Sequence, residues 1–156
     1  MPKNLEYMRE VVQRWLCGVR ESELKIKQLE SRIISLRDRM SAMQGIDYSA
    51  VSVSGSKTSD KLADGLSTLD ELIIDWEAQV SLVALDIANA VDIVQHSSLA
   101  GYAVGLHDLY GLPWEEVAAQ VNYSRRTIYI LAESGYVELY DYVPREVEAA
   151  MFAKAI

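Results

Sequence analysis

The chain has 156 residues, of which 50% are apolar and 24% charged, with 3 prolines, 8 glycines and a single cysteine. This composition is typical of an ordinary soluble globular protein and excludes collagen-like repeats, Pro-rich disorder and a disulfide framework. Its net charge of −8 disfavours indiscriminate nucleic-acid binding, which depends on neutralising phosphates, but it is compatible with a small local DNA-binding footprint.

A seven-residue hydrophobic repeat runs from Leu5 to Met43. With Leu5 at heptad position a, positions a and d are apolar throughout except at Ser22. The a positions are Leu5, Val12, Val19, Ile26, Ile33 and Met40, and the d positions are Met8, Trp15, Ser22, Leu29, Leu36 and Met43. A 3.5-residue period held over about five heptads indicates a coiled-coil helix.

The repeat returns between Leu62 and Val94, after a polar segment, 44–59, that is rich in Ser and Gly. Residues 1–43 carry nine basic and six acidic side chains, whereas residues 44–98 carry two and nine, so the two helices attract each other when the chain folds back. We therefore predict a long antiparallel coiled-coil hairpin over 1–96, with 44–59 as its tip loop.

The apolar surface of both predicted helices is widest where the hairpin opens. The residues that widen it are Val11, Leu16, Leu82, Leu85, Val91 and Ile93. A helix that is apolar on all sides must be covered. We infer that the C-terminal segment or a second subunit docks there, and we expect the chain to form a homo-oligomer through the coiled coil.

The sequence predicts neither secretion nor insertion into a membrane. The first residues lack the apolar segment of a signal peptide. The most apolar stretch, 80–94, is too short to span a bilayer and is interrupted by Asp86 and Asp92. We expect a cytoplasmic protein with no membrane partner.

Residues 97–143 predict a helix-turn-helix. Ser97 or Ser98 is placed to cap a helix, and Pro113 to start the next one. Asn122 falls at the turn position that needs a positive φ, four residues after the small Ala118, and Ser124 caps the second helix. The side chains predicted to be buried are Val117, Val121, Tyr123, Ile128 and Leu131. Residues 144–156 are predicted to form a tail or a short helix.

The outward residues of the second helix are Arg125, Arg126, Thr127 and Tyr129, the kinds of side chain that a recognition helix presents to the major groove. Two arginines form a small footprint for one subunit, and a dimer would double it. The remaining residues of 99–156 do not enlarge it, since this segment carries four basic and eight acidic side chains in all.

Residues 111–118 (GLPWEEVA) and 122–129 (NYSRRTIY) resemble the helix-turn-helix of sigma-factor region 4. More broadly, residues 5–143 are similar to small phage and prophage transcriptional regulators, including the ArpU-like regulators and related phage families, which join a coiled-coil hairpin to such a motif. The resemblance implies an all-α transcriptional regulator that binds duplex DNA and acts alongside RNA polymerase. The DNA-contacting residues would be Ser124, Arg125, Arg126, Thr127 and Tyr129.

Two other interpretations stay open. An acidic phage-encoded factor could bind, inhibit or recruit a host nucleic-acid-handling complex through the acidic second helix, with Asp70, Glu71, Asp75 and Glu77 imitating phosphate charge. A packaging-type adaptor that binds DNA within a ring would form a large oligomer, which light scattering would detect.

No residue pattern in the sequence predicts an enzyme, a metal site or a cofactor. His96 and His107 lack further ligands at metal-binding spacing and are expected to be surface or capping residues. Cys17 falls at heptad position f, so we expect an outward-facing thiol. Glu115 and Glu116 are adjacent, cannot share one helix face, and suit the positive end of a helix instead.

Overall fold

A computed structural model describes residues 4–46 and 55–154 and folds them into helices, which confirms the predicted all-α class. The described helices are α1 (Leu5–Ile46), α2 (Gly55–His96), α3 (Leu99–Asp108), α4 (Trp114–Val121), α5 (Arg125–Tyr140) and α6 (Arg145–Lys154). Among these helices, none contains the run of apolar residues that a bilayer-spanning segment requires.

Helices α1 and α2 both extend beyond the bounds set by the predicted tip loop, 44–59. Helix α1 continues to Ile46 and α2 already begins at Gly55, so both helices extend into the range predicted as loop. Poor helix formers such as Ser and Gly are tolerated here because extending a formed helix costs much less than starting one. The rest of the predicted loop, 47–54, lies outside the described residues.

The chain forms two compact units, and their boundaries differ from the predicted division at residue 96. Unit 1 comprises Met1–Ser22 and Ala84–Ile156, and unit 2 comprises Glu23–Val83. The division differs because the hairpin's open end shares a core with the C-terminal helices. The predicted short C-terminal helix is present as α6.

In unit 2, the segments of α1 and α2 run antiparallel, as the heptads predict. The indole Nε1 of Trp76 donates to the Glu30 carboxylate at 3.2 Å. Further along α1, the side chain of Met40 lies beside Gly65, at an earlier position of α2. Ile33 and Met40 are buried between the helices. Increasing residue numbers on one helix therefore pair with decreasing numbers on the other.

In unit 1, the C-terminal segment covers part of the widened apolar surface, which agrees with one of the two predicted alternatives. One core joins α1 and α2 with α3, α5 and the residue after α3. Its buried members are Val12, Trp15, Leu16, Val19, Ala90, Val94, Val104, Leu109, Ala132, Tyr136 and Leu139. Val91 and Ile93 pack against this core, whereas Leu85 is 71% exposed.

Helices α3 and α5 come into close contact at Gly135. A Cβ added to Gly135 would fall on the carbonyl oxygen of Ala100 and would lie 2.8 Å from Cγ2 of Val104. The two helices thus meet backbone to backbone, which only a residue without a side chain allows.

Gly135→Ala is expected to destabilise unit 1 by about 1–3 kcal/mol or more, because the new methyl group meets backbone rather than a flexible side chain. Chemical unfolding, followed by fluorescence of the tryptophans, measures the change. Gly18→Ala is the matched control, since no atom lies within 4 Å of its added Cβ. The control is expected to gain about 0.5–1 kcal/mol from helix propensity. Equal effects of the two substitutions would contradict the close contact.

Candidate nucleic-acid interface

The turn between α4 and α5 has the geometry predicted for a helix-turn-helix. Asn122 adopts the left-handed conformation (φ 59°, ψ 39°), and its backbone N–H bonds to the carbonyls of Ala118 and Ala119. Asparagine tolerates this region better than most residues do, because its short polar side chain can hydrogen-bond locally. Asn122 therefore ends α4 and turns the chain toward α5.

Ser124 caps α5, as predicted. Its hydroxyl oxygen accepts from the backbone N–H of Thr127 at 3.2 Å, which satisfies one of the free donors of the first turn. The hydroxyls of Ser124 and Thr127 also lie 2.8 Å apart. Both side chains are exposed, so the same hydroxyls are accessible to a ligand at the start of the helix.

The motif rests on a small core shared by α3, α4 and α5. Its buried members are Ala103, Leu106, Val117, Ala118 and Ile128. Of the five side chains predicted to be buried, Val117 and Ile128 are buried and Val121 and Leu131 half-buried. Tyr123 is 41% exposed, so this prediction was wrong. The residue lies in the non-helical turn between Asn122 and Ser124, where helical spacing does not set the direction of a side chain.

The predicted contact residues lie together at the exposed start of α5. Arg125, Arg126 and Thr127 form its first turn, and Tyr129, which is 47% exposed, follows in the next. The backbone N–H groups of this turn add partial positive charge. None of the ion pairs among the described residues involves Arg126, and its side chain is exposed, so its guanidinium is available to an anion.

Arg125 has a partner that the sequence did not reveal. Its Nη1 lies 3.1 Å from the carboxylate of Glu115, in the first turn of α4, and both side chains are about two-thirds exposed. An exposed ion pair contributes little to stability, on the order of 0–1 kcal/mol. Its effect here is local, since Glu115 neutralises one of the two arginines.

An aromatic stack supports Tyr129. Trp114 stacks on His107 with ring centroids 4.0 Å apart, and the Tyr129 ring lies 6.0 Å from Trp114. Nδ1 of His107 donates to the carbonyl of Leu112 at 2.7 Å, in the loop before α4. The residue is half-buried and bonds to a loop carbonyl, so it is neither the surface nor the capping histidine that was predicted. His96 is exposed, and its Nδ1 lies 3.1 Å from a carboxylate oxygen of Asp92.

A buried polar pair lies in the core of unit 1. The Asp108 side chain is almost completely buried and accepts from the Tyr136 hydroxyl at 2.8 Å, while the Gln13 amide donates to the same hydroxyl at 3.3 Å. Burial raises the pKa of Asp108 and also that of Tyr136, because it disfavours both charged forms. Asp108 was not predicted from the sequence, although it lies four residues after Val104 on the buried face of α3.

Cys17 does not face outward, so that prediction was wrong. Its side chain is half-buried, and Sγ lies 3.8 Å from the backbone carbonyl of Asp108. Burial, followed by the Asp108 charge, raises the pKa of the thiol. Heptad position f is exposed in an isolated hairpin, but here the end of α3 covers it.

Within the residues that the structure describes, no three His, Cys, Asp or Glu side chains come together in a group that could hold a metal ion. No protein-family model matches this chain, and no curated protein or solved structure is significantly similar to it.

Tyr136→Phe is expected to destabilise unit 1 by about 1–3 kcal/mol at neutral pH, because the buried Asp108 carboxylate loses its donor. The free energy of unfolding from urea titrations, followed by tryptophan fluorescence, measures this loss. A loss below a few tenths of a kcal/mol would show that the pair is not formed.

Asp108→Asn tests the same pair through its pH dependence. Because burial raises the folded-state pKa of Asp108, its contribution to stability is complete below the unfolded pKa and is lost as pH rises through the folded one. Asparagine keeps an acceptor for Tyr136 without charge. We expect the variant to be more stable than the wild type at neutral pH and to lose that advantage as the pH falls to about 4. A pH-independent difference would contradict the raised pKa.

Proposed function

We propose that this chain is a phage-type transcriptional regulator that binds duplex DNA through the start of α5. The observation that carries the proposal is the exposed first turn of α5, which follows a left-handed turn at Asn122 and presents Arg125 and Arg126. A helix held in this way by a preceding helix and turn is the geometry with which helix-turn-helix proteins enter the major groove.

Each exposed side chain has a role in this proposal. Arg126 binds a guanine edge or a phosphate, because its planar guanidinium can form two parallel hydrogen bonds. Ser124 and Thr127, together with the free N–H groups of the first turn, position a phosphate. Tyr129, supported by Trp114, contacts the backbone or a base from the next turn.

Charge limits the affinity of a single copy. Arg125 is paired with Glu115, and the chain as a whole is acidic, so one subunit offers few cations to neutralise phosphates. The proposal therefore includes self-association through the coiled coil, which doubles the footprint. It further includes action on transcription in the cytoplasm, alongside RNA polymerase, as the resemblance to phage regulators implies, and it assigns no catalytic role.

Arg126→Ala is expected to weaken duplex binding by a factor of about 5 to 150, the effect of losing about 1–3 kcal/mol at a bidentate or phosphate contact. The measurement is fluorescence anisotropy with labelled duplexes tiled across the DNA that flanks the chain's own gene. Scrambled duplex serves as competitor, and two salt concentrations give the electrostatic slope.

Glu115→Gln is expected to strengthen binding, because it releases Arg125 to a phosphate and increases the salt slope by about one. Glu116→Gln is its matched control, since it removes the same charge from the same helical turn without touching the ion pair. Equal effects of the two substitutions would show that general acidity, and not the Arg125 pair, limits affinity.

An absence of duplex binding by the wild type and by Glu115→Gln, even at low salt, would overturn the proposal. A specific observation then favours the protein-binding factor, because the four α2 carboxylates at Asp70, Glu71, Asp75 and Glu77 are all exposed. Neutralising them would abolish capture of a host complex, whereas Arg125→Ala and Arg126→Ala would not.

A further inference from the structure

Unit 2 contains an open groove between α1 and α2, which we name the isoleucine groove. It has a volume of about 410 Å³ and is lined by Ile33, Ile34, Ile73 and Trp76, with Glu30, Arg37 and Glu77 at its edges. We propose that a second copy of this chain docks on this groove, so that two hairpins form a four-helix bundle. The groove would be the surface through which the self-association of the proposed function occurs. Docking there does not depend on DNA binding.

The hairpin of unit 2 leaves much of its apolar surface uncovered. Ile33 and Met40 are buried, but Ile73 and Trp76 on α2 are only half-buried although they occupy seam positions. Beside the seam, Ile34 is 58% exposed. Two helices cannot cover an apolar face of this width, whereas four helices enclose a shared core. An exposed apolar patch with a polar rim is typical of a protein–protein interface.

The charges at the edges of the groove make it complementary to itself. Because Trp76 bonds to Glu30 across the antiparallel hairpin, Glu30 and Glu77 lie at the same end of the groove. Arg37 lies seven residues further along α1, about 10 Å away at the other end. A two-fold axis that crosses the groove near Ile34 therefore places each copy's Arg37 at the acidic end of the other.

This arrangement favours a second copy over an unrelated partner, because an isologous interface requires one surface to match itself. A second copy could also cover Trp76 without leaving a buried donor unpaired. The indole N–H of Trp76 already donates to Glu30 within the same chain.

The experiment is sedimentation velocity of the full chain, without DNA, across a wide range of concentrations. We expect the wild type to sediment as a dimer, with twice the 17.5 kDa mass of one chain. Ile34→Glu is expected to raise the dimer dissociation constant on the order of 100-fold, because dimerisation would bury an unpaired carboxylate. Since Ile34 is exposed within one chain, helicity by circular dichroism is expected to stay unchanged.

Leu82→Glu is the matched control, because Leu82 is also an exposed apolar residue of unit 2 but does not line the groove. It is expected to remain dimeric. A wild type that is monomeric at every concentration, or a larger ring, would overturn the inference. A control that dissociates while Ile34→Glu stays dimeric would do the same.

The orientation has its own test. Arg37→Glu is expected to weaken the dimer about tenfold, and adding Glu77→Arg is expected to restore it, because the two charges meet across the two-fold axis. Absence of rescue would overturn this axis. The outcomes for DNA are separable. A dimer that binds no duplex supports the groove and overturns the DNA proposal. A monomer that binds duplex overturns the groove and supports DNA binding without the self-association.

Discussion

The contact between Gly135 and the Ala100 carbonyl holds α5 against α3, and the rest of unit 1 depends on it. Because the two backbones meet there, Val104, Ala132, Tyr136 and Leu139 come together in one core. The same core receives the ends of the hairpin. Interiors are packed as densely as organic crystals, so a shift of α5 by one methyl group would propagate to each of these neighbours. The position of α5, and with it that of the backbone at Arg125 and Arg126, therefore depends on the buried side chains of this core.

Several elements of the fold are determined by residues close together in the sequence, and these elements could be predicted. A seven-residue repeat specifies α1 and α2 because the period alone decides which side of each helix is apolar. Asn122 and Ser124 specify the turn because one tolerates a left-handed backbone and the other caps a helix, each within four residues of its effect. The outward face of α5 follows from the same register.

Other parts could not be predicted, because they depend on which distant segments meet. Cys17 is exposed in a hairpin and half-buried once the end of α3 covers it. Glu115 and Arg125 are ten residues apart on different helices, and only the angle between α4 and α5 brings them together. Asp108 shows the limit most clearly, because a carboxylate on an apolar helical face conflicts with the usual pattern until a partner such as Tyr136 is known. The position of the candidate site in the chain thus follows from local sequence patterns. Its charge depends on a tertiary contact, the ion pair between Glu115 and Arg125.

The ion pair between Glu115 and Arg125 also has a kinetic consequence. A carboxylate attached to the neighbouring helix is always present at high effective concentration, so an anion that approaches Nη1 of Arg125 competes with it. Under the proposed DNA-binding function, brief electrostatic encounters with arbitrary sequence would gain less from Arg125 than a fully seated complex, in which a phosphate replaces Glu115 at fixed geometry. The pair would then shorten the residence time on non-target DNA while changing the lifetime of the seated complex less. In the proposed regulator, some affinity for DNA would thus be exchanged for faster release from the wrong sequence.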